Sequence, residues 1–153
     1  MRYIIGILIV VLCSYTGYLF TLKNKEIKNF YESFSSFNEK LINEISFGQT
    51  TILNLIKSSN TNNFYKLITE YFNNGKFDKK HITFLSEDDK NFIYNYLKMI
   101  GSGDKNAQIS YLESVKNDIK NKLNKAIEQD QKYSKLYIKM GFLLGLLIFV
   151  CLL

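Results

Sequence analysis

Apolar residues are arranged in two ways along this chain. At the ends they run together without a charge, from Tyr3 to Leu22 and from Met140 to Leu153. Between the ends they recur at steps of three and four, the spacing of one helical face. Ile27, Phe30, Tyr31, Phe34, Phe37, Leu41, Ile42 and Ile45 form the first such stripe. It predicts a helix that continues directly out of the first apolar run and ends at Gly48, a residue suited to a left-handed cap. Gln49 and Thr50 then turn the chain, with Thr50 as N-cap of a short helix over Thr51 to Ser58. Ser58 to Asn63 reads as a polar loop.

Phe64, Leu67, Ile68, Tyr71 and Phe72 predict the next helix, broken by Asn73–Asn74–Gly75. Lys76 to Leu85 fits either a loop or a short helix. Ser86, with Asp89 three residues on, reads as a reduced capping box before a face of Phe92, Ile93, Tyr96, Leu97 and Ile100. Gly101–Ser102–Gly103 stops that helix, and Asp104 caps the last one. The stripe then runs through Ile109, Leu112, Val115, Ile119, Leu123, Ala126 and Ile127, and no proline or glycine interrupts Lys105 to Met140. The last helix is therefore expected to run straight into the second apolar run. No strand pattern occurs, so the fold class is all-α: an antiparallel helical bundle flanked by N- and C-terminal transmembrane helices.

The membrane reading follows from length. Tyr3 to Leu22 is about the twenty residues a helix needs to cross a bilayer, and a charge at the centre would cost about 2.5–3.5 kcal/mol. The rival is a cleaved signal peptide, which Arg2 and the run to Leu12 would suit. The run continues past any cleavage point, however, and Cys13–Ser14–Tyr15 is a poor small-residue site. The second run is short for a span. Counting back through Tyr137 and Ile138 lengthens it, with Lys139 snorkelling to the headgroups and Tyr133 and Tyr137 at the interface. Its rival is a buried core helix, against which the unbroken apolar run from Gly141 to Leu153 argues. Residues 1–22 are thus read as one transmembrane helix, 23–137 as a cytoplasmic helical domain and 138–153 as the C-terminal transmembrane helix. Lys23, Lys25 and Lys28 follow the first run, and Lys132, Lys135 and Lys139 precede the second. Both biases place the middle in the cytoplasm and both termini on the far side.

Charge adds one qualification. The chain carries a net +6, but its lysines are scattered among acids and Arg2 is its one arginine, so forks for phosphates or bases are scarce. Nucleic acid is not an expected partner. Attraction to an anionic inner leaflet and a merely lysine-rich soluble surface both account for the surplus. Cys13 and Cys151, the two cysteines, fall in the apolar runs and form neither a disulfide framework nor a metal cluster.

A search for chemistry returns little. His81 stands alone in the ambiguous segment. There is no glycine-rich phosphate loop with lysine, no Gly-x-Ser-x-Gly elbow, and no Cys–His pair close in sequence. The expectation is therefore a non-enzyme with no cofactor, metal or small-molecule substrate. Glu87–Asp88–Asp89 reads as helix-start charge favoured by the macrodipole, or as a docking patch for a basic partner. Gly141-x-x-x-Gly145 is a spacing that lets membrane helices approach closely. Its partner is the first run, through Gly6 or Gly17, or another subunit.

Three motifs taken in order resemble one family, the stage III sporulation protein AB family of endospore-forming bacteria. Glu44–Ile45–Ser46–Phe47–Gly48–Gln49–Thr50 with Leu53 is similar to its Glu-Ile-x-aromatic-Gly-x-Thr turn. Ile100–Gly101–Ser102–Gly103–Asp104 with Gln108 is similar to its Leu-Gly-x-x-Asp-x-x-x-Gln stretch. Lys135–Leu136–Tyr137 with Gly141 and Gly145 is similar to the start of its last span. Thr51 replaces the usual proline after the turn threonine, and Phe92 is the candidate to fill the place of a frequent tryptophan.

The resemblance implies a subunit of the channel complex joining mother cell to forespore. It also implies a helical domain like that of the type II secretion platform protein, sited between a cytoplasmic secretion-type ATPase and other channel or ring subunits. The motifs with few core-type residues, Phe47, Gly48 and Thr50 and then Gly101, Asp104 and Gln108, are candidates for partner contact, the alternative being caps kept for folding alone. Other functions weighed are a membrane-anchored sensor or regulator and a small membrane-active toxin or holin. The first lacks a visible ligand pocket or signalling domain. The second has no use for so long a charged middle.

Overall fold

The computed structural model describes residues 2–48, 52–57 and 62–152. All regular structure among them is helical: α1 (Arg2–Phe47), α2 (Ile52–Lys57), α3 (Asn63–Asn74), a 3-10 turn (Lys79–Ile82), α4 (Glu87–Met99) and α5 (Lys105–Leu152). The chain divides into two compact units. A terminal unit comprises Met1–Lys28 with Lys125–Leu153, and a central unit comprises Asn29–Asn124.

The central unit closes on an aromatic core. Spacing by three and four puts Phe30, Phe34, Phe37 and Leu41 of α1 on one face, and all are buried. Phe64, Leu67 and Ile68 of α3, Ile93, Tyr96 and Leu97 of α4, and Leu112 and Ile119 of α5 are buried as well. Phe34 is the hub. Its ring stacks on Phe64 at 5.2 Å between centroids and takes the edge of Tyr96 at 4.7 Å. Such offset and edge-on pairs suit the ring quadrupole and add to the burial each ring supplies. One polar side chain sits among them. Asn38, 1% exposed, accepts from Tyr96 Oη at 3.0 Å and donates to the Leu112 carbonyl at 3.2 Å. Within this unit α1 and α5 run antiparallel, since Ser46 meets Lys105 and Glu39 meets Lys116.

Local caps set most boundaries. Asn62 accepts from Tyr65 N at 3.2 Å to start α3, and its amide also meets the Ser33 hydroxyl of α1. Gly75 ends α3 with φ +65°, a conformation that favours glycine. Two sequence expectations change here, and one left open is settled. α1 does end before Gly48, but Gly48 is not left-handed. Its N–H still bonds the Glu44 carbonyl at 2.9 Å, so the last turn closes helically and needs no reversal. The ambiguous Lys76–Leu85 segment is irregular around the 3-10 turn, pinned by the buried Ile82. Ser86 caps α4, accepting from Asp89 N at 3.2 Å, but the box is not reciprocal: Asp89 Oδ2 takes the Ser86 hydroxyl at 2.7 Å instead of the Ser86 N–H. The Thr50 cap and the loop over Ser58–Thr61 lie outside the described residues.

In the terminal unit α1 and α5 are also antiparallel, held at three glycines. A Cβ on Gly17 would lie 2.6 Å from the Tyr137 carbonyl oxygen, one on Gly141 2.6 Å from that of Cys13, and one on Gly145 2.8 Å from Val10 Cα. The hydroxyls of Ser14, Thr16 and Thr21 bond carbonyls of their own helix. Outward-facing residues are large and apolar, among them Val11, Leu12, Tyr15, Leu143, Leu147 and Val150. α5, over Lys105–Val150, is long and apolar enough to cross a membrane. For the Tyr3–Leu22 run, the side chains of residues 3–7, Ile9 and Phe20 lie outside those described.

Candidate functional site

At one end of the central unit, α1 finishes and α5 begins. The Lys105 ammonium donates to the Ser46 carbonyl at 2.9 Å, which satisfies a helix-end acceptor and ties the two motifs together. Between α4 and α5 the chain reverses through Gly101 and Gly103, with φ +82° and +84°. Both values lie where a side chain is strained. The Ser102 hydroxyl donates to the Met99 carbonyl at 2.7 Å. Asp104 accepts from Ala107 N at 2.8 Å, and the Gln108 amide donates to the Gly103 carbonyl at 3.3 Å. The turn is thus hydrogen-bonded within itself, yet residues 101–107 are all exposed.

Phe47 lies at the same end, and the residue is 92% exposed. No core residue holds it. A bare aromatic ring beside a braced loop is suited to contact with another surface, since aromatic anchors carry much of the energy of an interface. Phe47, Gly48, Gly101, Asp104 and Gln108 therefore share one end of the unit, while Thr50 is outside the described residues.

A polar cluster missed from the sequence lies on the flank of the core. Lys122 of α5 pairs with Asp89 of α4 at 2.5 Å, and its ammonium stands 5.2 Å over the Phe92 ring. The buried Tyr31 hydroxyl faces the same carboxylate without aligned hydrogen-bond geometry. Burial opposes the charge on Asp89. Lys122, the Ser86 hydroxyl and Tyr31 outweigh it and hold the carboxyl below its ordinary range. Burial first, then the charge of Asp89, pushes the Tyr31 phenol far up. Lys122 sits three residues after Ile119 and four before Ala126, a polar residue on an apolar stripe. That placement was the available signal.

The acidic triplet is largely engaged within the chain. Glu87 pairs with Lys90 at 2.8 Å and Lys79 at 3.0 Å, which together lower its carboxyl. His81 Nε2 lies 3.2 Å from Glu70, which also holds Lys80 at 2.8 Å. Among the described residues no three His, Cys, Asp or Glu side chains gather as one metal ion requires. In the terminal unit, the Gly17–Gly141 contact borders an open crevice of about 260 Å³ walled by Cys13, Tyr137 and Leu144.

Comparison with known proteins bears on residues 54–153, which match the family model of stage III sporulation protein AB. That stretch holds the Ile100–Gln108 motif, the Lys135–Tyr137 motif and both glycines of the second run. The Glu44–Thr50 motif and the first apolar run fall before it. No curated protein and no solved structure matches the chain. With well over half its length covered by the match, the chain belongs to the stage III sporulation protein AB family and so has its role in that stage of sporulation.

Proposed function

We propose that the chain is a non-enzymatic platform subunit of the sporulation channel complex that links mother cell and forespore. Two transmembrane helices, 1–22 and 138–153, hold it in the mother-cell membrane around the forespore. The helical domain over 23–137 stands in the cytoplasm as the counterpart of the type II secretion platform's. Both termini lie on the non-cytoplasmic side. The domain couples a cytoplasmic secretion-type ATPase to channel or ring subunits by contact.

The observation that carries this reading is the contrast between the two units. The central unit buries seven aromatic side chains, Phe30, Tyr31, Phe34, Phe37, Phe64, Tyr65 and Tyr96, and leaves Phe47 almost bare. The terminal unit turns large apolar residues outward on both helices, as a lipid solvent requires and water penalises. The lysines that border the apolar runs support the orientation.

Crosslinking in sporulating cells, with probes at Gln49 and Lys105, tests the platform role. Adducts with a secretion-type ATPase or with channel subunits are the expected result. Adducts with lipid alone, or none, would refute it. Labelling of a cysteine introduced in the central unit from the non-cytoplasmic face would refute the topology.

A further inference from the structure

The charge of this chain is unevenly divided. By sequence the terminal unit holds eight Lys and Arg against three Asp and Glu, whereas the central unit holds twelve against eleven. Five of the six surplus charges thus belong to the unit that exposes apolar surface. The central unit is balanced, so a general affinity for acidic macromolecules does not account for the division.

Position on α5 narrows the cause. Lys125, Lys132, Lys135 and Lys139 are exposed. At about 100° per residue they fall within roughly 80° of helical arc. Ala126, Asp130, Gly141 and Gly145 fall on the opposite side of the helix. The lysines therefore crown the face turned away from α1. Three acids share the unit. Asp130 is taken by Lys28 at 3.5 Å and by the Ser134 hydroxyl at 3.0 Å. Glu26 is engaged within the chain. Glu128 shares the stripe, one turn before Lys132.

We propose that Lys132, Lys135 and Lys139, with the exposed Lys23 and Lys25 of α1, form a collar that gathers anionic phospholipids around the helix pair. This rests on the membrane reading above and adds a choice among lipids to it. Lys139 adjoins the uncharged run and Lys132 stands about 10 Å above it along the helix, within reach of headgroup phosphates on long flexible stems. Lys125 lies about 21 Å from Lys139, more than two Debye lengths at physiological salt, and is outside the collar. An anionic surface favours each nearby lysine roughly fivefold, enough for a few residues to change the composition of the surrounding lipid.

The chain contains no tryptophan, so Tyr133→Trp places a single reporter beside the collar. The full-length protein is reconstituted in phosphatidylcholine vesicles doped equally with brominated phosphatidylglycerol or brominated phosphatidylcholine. Several-fold stronger quenching by the anionic lipid is expected, reduced in high salt. It should be abolished by combining Lys23→Gln, Lys25→Gln, Lys132→Gln, Lys135→Gln and Lys139→Gln, and retained when the same positions become Arg. Equal quenching by the two lipids, or a preference that survives the glutamines, overturns the proposal. Quenching by neither lipid overturns the membrane reading itself, and the collar with it.

Discussion

Lys122 Nζ lies 2.5 Å from Asp89 Oδ1, joining α5 to α4 across the flank of the aromatic core. Both side chains keep some water, at 31% and 23% exposure, so the pair ranks between a surface ion pair and a buried one. Asp89→Asn should cost about 1–2 kcal/mol, read as a lower thermal midpoint of the full-length chain in detergent. The Asp89→Ala, Lys122→Ala double variant should cost less than the sum of the single changes, because each single change strands a partner. Strict additivity would mean the pair is idle.

Acid should reveal the same contact. The folded Asp89 carboxyl titrates below its ordinary value, so the unfolded chain takes up the proton first as pH falls. The stabilisation is complete above the ordinary aspartate value of about 3.9. It is lost as pH drops through the lower folded value. Glu70, Asp78 and Glu87 are depressed as well and titrate in the same direction. The difference between wild type and Asp89→Asn isolates one group, and it should shrink in acid. A constant gap from neutral pH down to strong acid would refute the assignment.

Asn38 offers a third test. It is the acceptor for the Tyr96 hydroxyl in a site without water access. Asn38→Leu strands that hydroxyl and should cost about 1–3 kcal/mol. Adding Tyr96→Phe removes the stranded group and should recover part of the loss. Urea unfolding of the four proteins in the cycle measures the coupling, and a double variant no better than Asn38→Leu alone would show that Asn38 acts otherwise.

What could be seen from the sequence follows from how far each cause reaches along the chain. Ser86, Gly101, Gly103 and Asp104 act within three or four residues, and the boundaries they imply are those observed. The stripe from Ile109 to Ile127 and the lack of a breaker before Met140 are equally local, and α5 is continuous. Asn38 and Lys122 read only as polar residues on apolar stripes, because their partners stand 58 and 33 residues away. Phe77, Ile82, Phe84 and Leu85 sustain no helical stripe, and burial of Ile82 against the rest of the unit decides that segment. Gly141 and Gly145 were visible as a spacing. Their contacts with Cys13 and Val10 were not, since neither position is marked by residue type.

The glycine contacts predict a steep steric dependence. Gly141→Leu cannot be accommodated while the Cys13 carbonyl stays where it is, because even a Cβ would come within 2.6 Å. The two helices must part and lose the packing on which association in lipid depends. Leu143→Ala, on an exposed position of the same turn, should change little. With Cys151→Ser, disulfide formation between native Cys13 and a cysteine placed at Met140, which line the same crevice, reports the approach: efficient in the parent, poor with Gly141→Leu and unaffected by Leu143→Ala. Undiminished crosslinking in the Gly141 variant would show that the glycines do not set the spacing.

Phe47 and Asp104 separate a partner surface from a folding device. Asp104 caps α5 through Ala107 N, so Asp104→Ala should cost about 1 kcal/mol in stability. Phe47 packs on nothing in the unit and is 92% exposed, so Phe47→Ser should leave stability within about 0.5 kcal/mol of the parent. If the braced end of the central unit is where a partner docks, the order reverses in capture from sporulating membranes. Phe47→Ser should then release the partner, and Asp104→Ala should weaken capture only as far as the turn loosens. Loss of capture with Asp104→Ala alone, with Phe47→Ser binding as the parent does, would move the docking surface off the aromatic ring and onto the turn itself.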